Sequence, residues 1–103
     1  MNLAITARKF KLQDDLRSYI EEKSQKLSRF YENIIDTEVI LGWEKQQRYV
    51  ELKIKVDHSM IVVKEYSEDL RKSFDLLLDK AERQLKRHKA KRGAKEKDII
   101  YSA

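Results

Sequence analysis

The sequence contains no cysteine and no proline, and only two of its 103 residues are glycine. The absence of cysteine excludes a disulfide framework, a thiol nucleophile, an iron–sulfur cluster and a zinc finger with thiolate ligands, and it fits a reducing compartment. The scarcity of glycine and proline excludes a glycine-rich phosphate loop and a flexible linker. A chain of this length is therefore expected to form one compact domain.

Long apolar runs are also missing. The longest aliphatic runs, such as Ile61–Val63, have three residues, far fewer than the roughly 18–20 residues of a membrane-spanning helix. The first residues lead directly into Arg8 and Lys9, so the amino terminus lacks the apolar segment of a signal peptide. These features predict a soluble, cytoplasmic protein with no membrane partner.

Apolar periodicities follow one another in the order β-α-β-β-β-α. The predicted strands are residues 2–8, 37–44, 49–56 and 60–66, and the first helix runs from Asp14 to about residue 32. Ser67 is the predicted N-cap of a second helix of about 25 residues. This order predicts an α+β two-layer sandwich, with a four-stranded sheet and two helices on one face. A parallel first β-α-β unit precedes an antiparallel meander. The domain is expected to span residues 1–92, followed by a short polar tail at 93–103.

The core is predicted from the apolar positions of these patterns. In the strands they are Leu3, Ile5, Val39, Leu41, Val50, Leu52 and Ile54. In the helices they are Leu16, Ile20, Leu27, Leu70, Phe74, Leu77, Ala81 and Leu85. Ile61 and Val63 compete with Val62 for the inward side of the last strand.

Residues capable of catalysis are few and poorly placed. His58 lies between Asp57 and Ser59, but three contiguous residues on one turn do not align a nucleophile, a base and an orienting carboxylate. His88 falls on the inward stripe of the last helix, where a packing role or one beside bound RNA suits it. Two histidines so far apart without ligand spacing do not predict a metal site. We therefore predict no enzyme, no catalytic residue, no metal, no cofactor and no small-molecule substrate.

Positive charge is concentrated in one segment. Residues 80–97 contain nine basic and two acidic residues, a net charge of +7, whereas the remainder has 14 basic and 16 acidic residues. The aliphatic stripe of the helix ends at Leu85, and Lys91 and Arg92 return to the angle of that stripe. We therefore expect the helix to leave the core near His88 and to project a rigid basic ridge, which suits a structured phosphate backbone.

Two further basic groups accompany this ridge. Arg8, Lys9 and Lys11 precede the first helix, and the helix itself carries Lys23, Lys26 and Arg29. With both helices on one sheet face, the cations of the first helix are expected to extend the basic surface.

Several motifs resemble the ribosome hibernation promoting factor family, which includes the ribosome-associated inhibitor of cold shock and stationary phase. The resemblance covers about residues 1–92, and its motifs are Leu3–Thr6, Leu16–Ile20, Lys26–Tyr31, Ser67–Leu70 with Asp75 and Asp79-Lys80, and Arg83–Lys89. The sequence departs from the family pattern at Ser24, where members usually have an aliphatic residue, and near Ala7, where they have a glycine. It also departs at Arg71–Ser73, where an aromatic residue followed by alanines is usual.

The resemblance implies a translation inhibitor that acts in stress and stationary phase. Such a protein would bind small-subunit rRNA and whole ribosomes between the head and the body of the subunit. There it would occlude messenger RNA and A- and P-site transfer RNA. Carried over by position, the rRNA-facing residues would be Arg83, Lys86, Arg87, Lys89, Lys91 and Arg92, with Lys23, Lys26, Arg8 and Lys9 as further candidates.

Two other functions are compatible with parts of the pattern. A double-stranded-RNA-binding module shares the α-β-β-β-α order, but it presents cations at the start of its second helix, where this chain has Glu68 and Asp69. A protein-interaction module, for example a regulator of a transcription factor, would leave the basic ridge as a solvated face. The salt dependence of ribosome binding separates these functions.

Overall fold

A computed structural model describes residues 2–9, 11–31 and 33–102, and the side chains of residues 2–9, 11–29, 31 and 33–88. Its elements are β1 (Asn2–Ala7), α1 (Asp14–Phe30), β2 (Ile34–Glu44), β3 (Gln47–Val56), β4 (Ser59–Tyr66) and α2 (Leu70–Ser102). The predicted order β-α-β-β-β-α is confirmed.

The four strands form one mixed sheet in the order β1-β2-β3-β4. β1 and β2 are parallel, with Ile5 beside Val39, because α1 carries the chain back to the start of the sheet. β2, β3 and β4 form the predicted antiparallel meander, in which Leu52 faces both Val39 and Val63. The alternating inward residues of β3 are therefore buried, as the sequence pattern predicted.

Both helices pack on one face of this sheet and share one core with it. Ile20 and Leu27 of α1 meet Phe74 and Leu77 of α2 in a single buried cluster with the inward residues of β2 and β3. Of the predicted core positions, Leu3, Ile5 and Leu16 are half-buried and pack against this cluster, and the others are buried. The predicted α+β two-layer sandwich is confirmed.

The buried set is larger than the sequence predicted. Leu12, Ile34 and Val56 join the core cluster, and Ile40 and Tyr49 are buried on the sheet face away from the helices. Ile40 lies in a central strand between Thr6 and Glu51. Neighbouring strands therefore shield it although its own strand points it outward.

The start of α2 differs from the prediction. The N-cap is Asp69, not Ser67: the Asp69 carboxylate accepts hydrogen bonds from the backbone N–H groups of Arg71 (3.0 Å) and Lys72 (3.2 Å). The Ser67 hydroxyl instead accepts a bond from the Asp69 N–H at 3.2 Å. A carboxylate at the N-cap also favours the positive end of the helix dipole, which explains why the helix begins two residues later than predicted.

α2 is also longer than predicted, since it has 33 residues. A helix of about 25 residues from Ser67 would end near Gly93, but a single glycine costs only about 1 kcal/mol in a helix. The flanking residues are mostly alanine, lysine and glutamate, which favour the helix and carry it past this position.

Both helices begin at the same end of the sheet, where β2 turns into β3. There the Arg8 N–H donates to the Leu41 carbonyl at 2.8 Å, and the Ser67 N–H donates to the Arg48 carbonyl at 3.1 Å. We call residues 8–9, 11–13, 43–48 and 66–71 the hairpin end. Because both helices run away from it, the carboxyl-terminal half of α2 lies at the opposite end.

Candidate nucleic-acid interface

The two sides of α2 have opposite character. Its apolar residues Phe74, Leu77, Ala81 and Leu85 recur every three or four positions and are buried against the sheet. The basic residues in the part of the helix from position 80 to 88, Lys80, Arg83, Lys86 and Arg87, are exposed. The buried stripe fixes the helix, so these cations are held on a rigid element.

Three of these four cations are uncompensated. Lys80 forms an ion pair with Glu65 of β4, whereas Arg83, Lys86 and Arg87 have no ion-pair partner among the described residues. We call these three residues the α2 basic surface. At 100° per residue they fall within an arc of about 100° that lies opposite the buried stripe. The helix therefore presents them directly to solvent.

Three predicted residues, Lys89, Lys91 and Arg92, have side chains outside the described residues. The backbone of α2 continues through them as helix. Their role stays a prediction.

α1 runs beside α2 in the same direction. The Tyr19 hydroxyl donates a hydrogen bond to the Asp75 carboxylate, which raises the pKa of that hydroxyl. One turn further along α1, the Lys23 ammonium lies 5.6 Å from the centre of the Tyr19 ring, and Lys26 is exposed. The structure thus brings Lys23 and Lys26 into the same layer as the α2 basic surface.

Two acidic residues of α2, Asp75 and Glu82, lie on the side of the helix next to α1 and not among the residues of the α2 basic surface. Tyr31, directly after α1, has its pKa raised by burial and then by the nearby Glu82 carboxylate. Asp75 is likewise held by the Tyr19 hydroxyl. Both carboxylates therefore lie toward α1, on the flank of α2. The solvent side of the helix carries one exposed carboxylate, Asp79, which forms no ion pair among the described residues.

Arg8 and Lys9 do not join this surface. Arg8 directly follows β1 at the hairpin end, and Lys9 is exposed beside it with a φ of 66°. The 13 residues from Leu70 to Arg83 place the α2 basic surface about 20 Å further along the helix axis. The predicted set of cations therefore forms two groups at opposite ends of the domain.

The hairpin end holds a pair of residues that the sequence analysis did not select. Trp43 of β2 and Arg48 of β3 lie opposite each other in the sheet register. The Arg48 guanidinium lies 4.9 Å from the centre of the Trp43 ring, and 40% of the tryptophan remains exposed. The available signal was the lone tryptophan at the end of a strand, with an arginine at the mirrored position across a two-residue turn.

The open face of the sheet, which the helices leave uncovered, also carries many charges, but these lie opposite or beside charges of the other sign. Glu44 accepts hydrogen bonds from Lys64 (2.7 Å) and from the Tyr66 hydroxyl (2.9 Å). These bonds lower the pKa of the Glu44 carboxyl and raise the pKa of Lys64. The Lys64 ammonium lies 4.3 Å from the centre of the Tyr49 ring. The open face therefore offers little uncompensated charge.

The described residues show neither a metal cluster nor a membrane-spanning helix. They contain no group of three or more histidine, cysteine or carboxylate side chains that could hold a metal ion. None of the helices, as far as their residues are described, combines the length and the apolar character needed to cross a membrane.

Comparison with known proteins agrees with this geometry. The sequence model of the Sigma 54 modulation protein / S30EA ribosomal protein family matches residues 3–93. The chain belongs to this family. A ribosome hibernation promoting factor from Azotobacter vinelandii is 35% identical over 91 residues, which cover 88% of this chain and 85% of that protein. The family expected from the sequence motifs is therefore confirmed.

Solved structures give the same result for the fold. A ribosomal subunit interface protein from Coxiella burnetii superposes with a TM-score of 0.80 at 28% identity, covering 87% of this chain and 99% of the other. The N-terminal domain of Protein Y from Thermus thermophilus gives a TM-score of 0.73 at 27% identity, covering 85% and 99%. The β-α-β-β-β-α sandwich is thus shared with both of these proteins.

Two of the departures from the family pattern, Ser24 and Ser73, fall in the helix packing, away from the α2 basic surface. Ser24 of α1 and Ser73 of α2 are fully buried. The Ser73 hydroxyl donates to the Asp69 carbonyl at 3.0 Å, whereas the Ser24 hydroxyl has no hydrogen-bond partner among the described residues. Ser24 and Ser73 therefore lie in the helix packing and not among the exposed cations.

Proposed function

We propose that the protein is a ribosome hibernation factor that binds rRNA of the small subunit, in the cytoplasm, through the α2 basic surface. Lys23 and Lys26 extend this surface, and Lys89, Lys91 and Arg92 prolong it along α2. Bound between the head and the body of the subunit, the protein occupies the positions of messenger RNA and of A- and P-site transfer RNA. Translation stops by steric occlusion, without a chemical step.

The observation that carries the proposal is the uncompensated charge of Arg83, Lys86 and Arg87 on a helix fixed by its own buried stripe. Phosphates that contact such cations release condensed counterions, and this release favours association. A rigid row of cations matches a structured RNA backbone without the entropic cost of ordering a flexible tail.

The position of His58, the histidine between Asp57 and Ser59, does not suit catalysis. The His58 side chain is 95% exposed on the turn after β3, and its ring nitrogen lies 3.5 Å from the Asp57 carboxylate. A general base needs a positioned substrate proton within hydrogen-bond reach, and a ring so exposed lies outside any cleft that would position one. This arrangement suits a surface turn.

The test is co-sedimentation of the purified protein with small subunits, large subunits and whole ribosomes in sucrose gradients. We expect it to travel with small subunits and whole ribosomes, and to inhibit cell-free translation. Transfer RNA and messenger RNA already in the channel are expected to compete with it. The affinity should fall steeply with salt, by a log–log slope of roughly 0.7 to 0.9 per phosphate contact.

Two results would overturn the proposal. The protein could remain at the top of the gradient with every ribosomal species at physiological salt. It could also bind equally well to subunits whose channel is filled with messenger RNA and transfer RNA, which would exclude occlusion as the mechanism.

A further inference from the structure

The hairpin end has the form of a binding groove. Trp43 and Arg48 form one wall, and the first turns of α1 and α2 form the other, with Leu16 and Leu70 at its base. The groove has a volume of about 650 Å³, within the roughly 300–1,000 Å³ range of clefts that hold small ligands. An exposed indole beside a guanidinium offers a flat surface for a planar aromatic ligand.

The lining of this groove carries three basic and three acidic residues, and two further cations lie beside it. Lys11 lines it, and Arg8 and Lys9 are exposed beside it. Two of the acidic residues in its wall already form hydrogen bonds or ion contacts within the protein. Asp69 caps α2 through two backbone N–H groups. Asp15 accepts a bond from a backbone N–H of α1 at 2.9 Å and lies 3.9 Å from the Arg71 guanidinium.

One carboxylate of the groove opposes an anion. Glu68 is exposed, and among the described residues no hydrogen bond or ion pair engages its carboxylate. Its neutralisation is therefore expected to strengthen the binding of an anion.

Three residues of the hairpin end, two of them lysines, have left-handed backbone conformations. Lys9, Lys45 and Gln46 have φ values of 66°, 50° and 67°, in the left-handed region that two-residue hairpin turns usually fill with asparagine or glycine. Keeping side chains there is unfavourable, and such residues are frequent where a surface must present side chains to a ligand.

We propose that the hairpin end is a second RNA contact, at which an unpaired base stacks on the Trp43–Arg48 pair while Lys9 and Lys11 meet the flanking phosphates. Stacking on aromatic and guanidinium planes is how proteins hold unpaired bases, and cations beside the stack hold the backbone. An acidic peptide would satisfy the lysines but would leave the flat Trp43–Arg48 surface unused. The proposal goes beyond the proposed function, because it assigns an RNA contact to the end of the domain opposite the α2 basic surface.

The chain has one tryptophan, so its fluorescence reports on this groove alone. The probes are a ten-nucleotide oligoadenylate and an abasic oligomer of the same length and backbone charge. We expect the oligoadenylate to quench the fluorescence saturably and the abasic oligomer to leave it almost unchanged. Equal quenching by both oligomers, or no quenching while labelled oligoadenylate binds by anisotropy, would overturn the proposal.

Variants test the individual groups by anisotropy of labelled oligoadenylate. Trp43→Leu is expected to weaken binding about 10-fold, and Trp43→Phe less, because phenylalanine keeps a ring for stacking. Glu68→Gln is expected to strengthen it. Thermal melting checks that each variant folds. If Trp43→Leu is unfolded, Arg48→Gln, which keeps the indole, tests the Trp43–Arg48 pair instead. Unchanged affinity in folded Trp43→Leu, or in Arg48→Gln, would contradict the proposal.

The double variant Lys86→Glu/Arg87→Glu separates this proposal from the proposed function. It is expected to lose ribosome sedimentation and to keep oligoadenylate quenching. Ribosome binding by the wild-type protein without quenching would refute the second contact alone. Quenching without ribosome binding would refute the hibernation function alone.

Discussion

The two faces of the sheet differ in how their charges are satisfied. On the open face, Glu44 is bonded to Lys64 and Tyr66, and Glu51 lies 4.0 Å from the Lys53 ammonium. On the helix-covered side, the α2 basic surface points to solvent without an ion-pair partner among the described residues. Both faces are rich in charge, so charge density alone does not locate an RNA-binding surface. Three neighbouring cations without an ion pair in the described part of the chain, on one side of a rigid helix, do locate it.

The largest expected effect comes from reversing the charge of two residues of the α2 basic surface. Lys86→Glu/Arg87→Glu should weaken ribosome binding on the order of 100-fold or more, because two phosphate contacts become repulsions. The substitutions lie opposite the buried stripe, so stability should stay within about 0.5 kcal/mol. Sedimentation measures the binding, and thermal melting measures the fold.

The matched control carries the same change of charge on the open face. Lys53 and Lys55 face Glu38 and Asp36 across the sheet. Lys53→Glu/Lys55→Glu should therefore cost on the order of 1 kcal/mol in stability through like-charge pairs, and leave ribosome binding intact. Equal losses of binding in the two double variants would show that net charge matters and position does not.

The next largest effect concerns the packing of the open face. A Cβ atom at Gly42 would lie 2.7 Å from the Tyr49 hydroxyl oxygen and 2.8 Å from its ring. That ring is confined beneath Lys64 and beside Tyr66, so Gly42→Ala should lower stability by about 1–3 kcal/mol in denaturant unfolding. The same substitution in a Tyr49→Leu background should cost much less, and an equal cost would rule out the ring as the cause.

A gain in stability is expected within the helix layer. The Ser24 hydroxyl is buried without a hydrogen-bond partner among the described residues, so Ser24→Ala should raise stability by about 1–2 kcal/mol. Exposed Ser18 on the same helix is the matched control, since Ser18→Ala should gain only about 0.5 kcal/mol from helix propensity. A gain at Ser24 no larger than the gain at Ser18 would mean that the hydroxyl is satisfied.

The smallest effect concerns the pH dependence of the Glu44 cluster. The hydrogen bond from Lys64 lowers the pKa of the Glu44 carboxyl from its ordinary value of 4.5. A carboxyl with a lowered folded-state pKa stabilises the fold above its unfolded pKa and loses that contribution as pH falls. Between about pH 6 and pH 3 the wild-type melting temperature should therefore fall slightly more than that of Glu44→Gln. Parallel pH profiles would show that the bond contributes nothing.

Most of the fold was predictable from local patterns. The alternation of Val50, Leu52 and Ile54 fixed the register of β3, and the stripe from Leu70 to Leu85 identified the face of α2 that packs. The burial of Ile40 and Tyr49 was not predictable from these patterns, because neighbouring strands create it. The N-cap was misplaced because Ser67 and Asp69 both have the chemistry of a cap, and only the backbone path decides between them.

The site was predictable only in part. The sequence located the cations of α2, but it did not show that Lys80 pairs with Glu65 across the sheet edge. It also gave no distance between the two ends of the domain, so Arg8 and Lys9 were grouped with cations that lie about 20 Å further along α2. The Trp43–Arg48 pair arises from strand register, which no single segment contains.

The most direct measurement is the salt dependence of small-subunit binding for two neutralised variants. For Lys86→Gln/Arg87→Gln, which removes two phosphate contacts, the log–log slope should become shallower than in the wild type by about 1.4 to 1.8. For Lys53→Gln/Lys55→Gln on the open face, the slope should equal that of the wild type. A wild-type slope in the first variant, or an equally reduced slope in both, would contradict the assignment of the α2 basic surface to RNA.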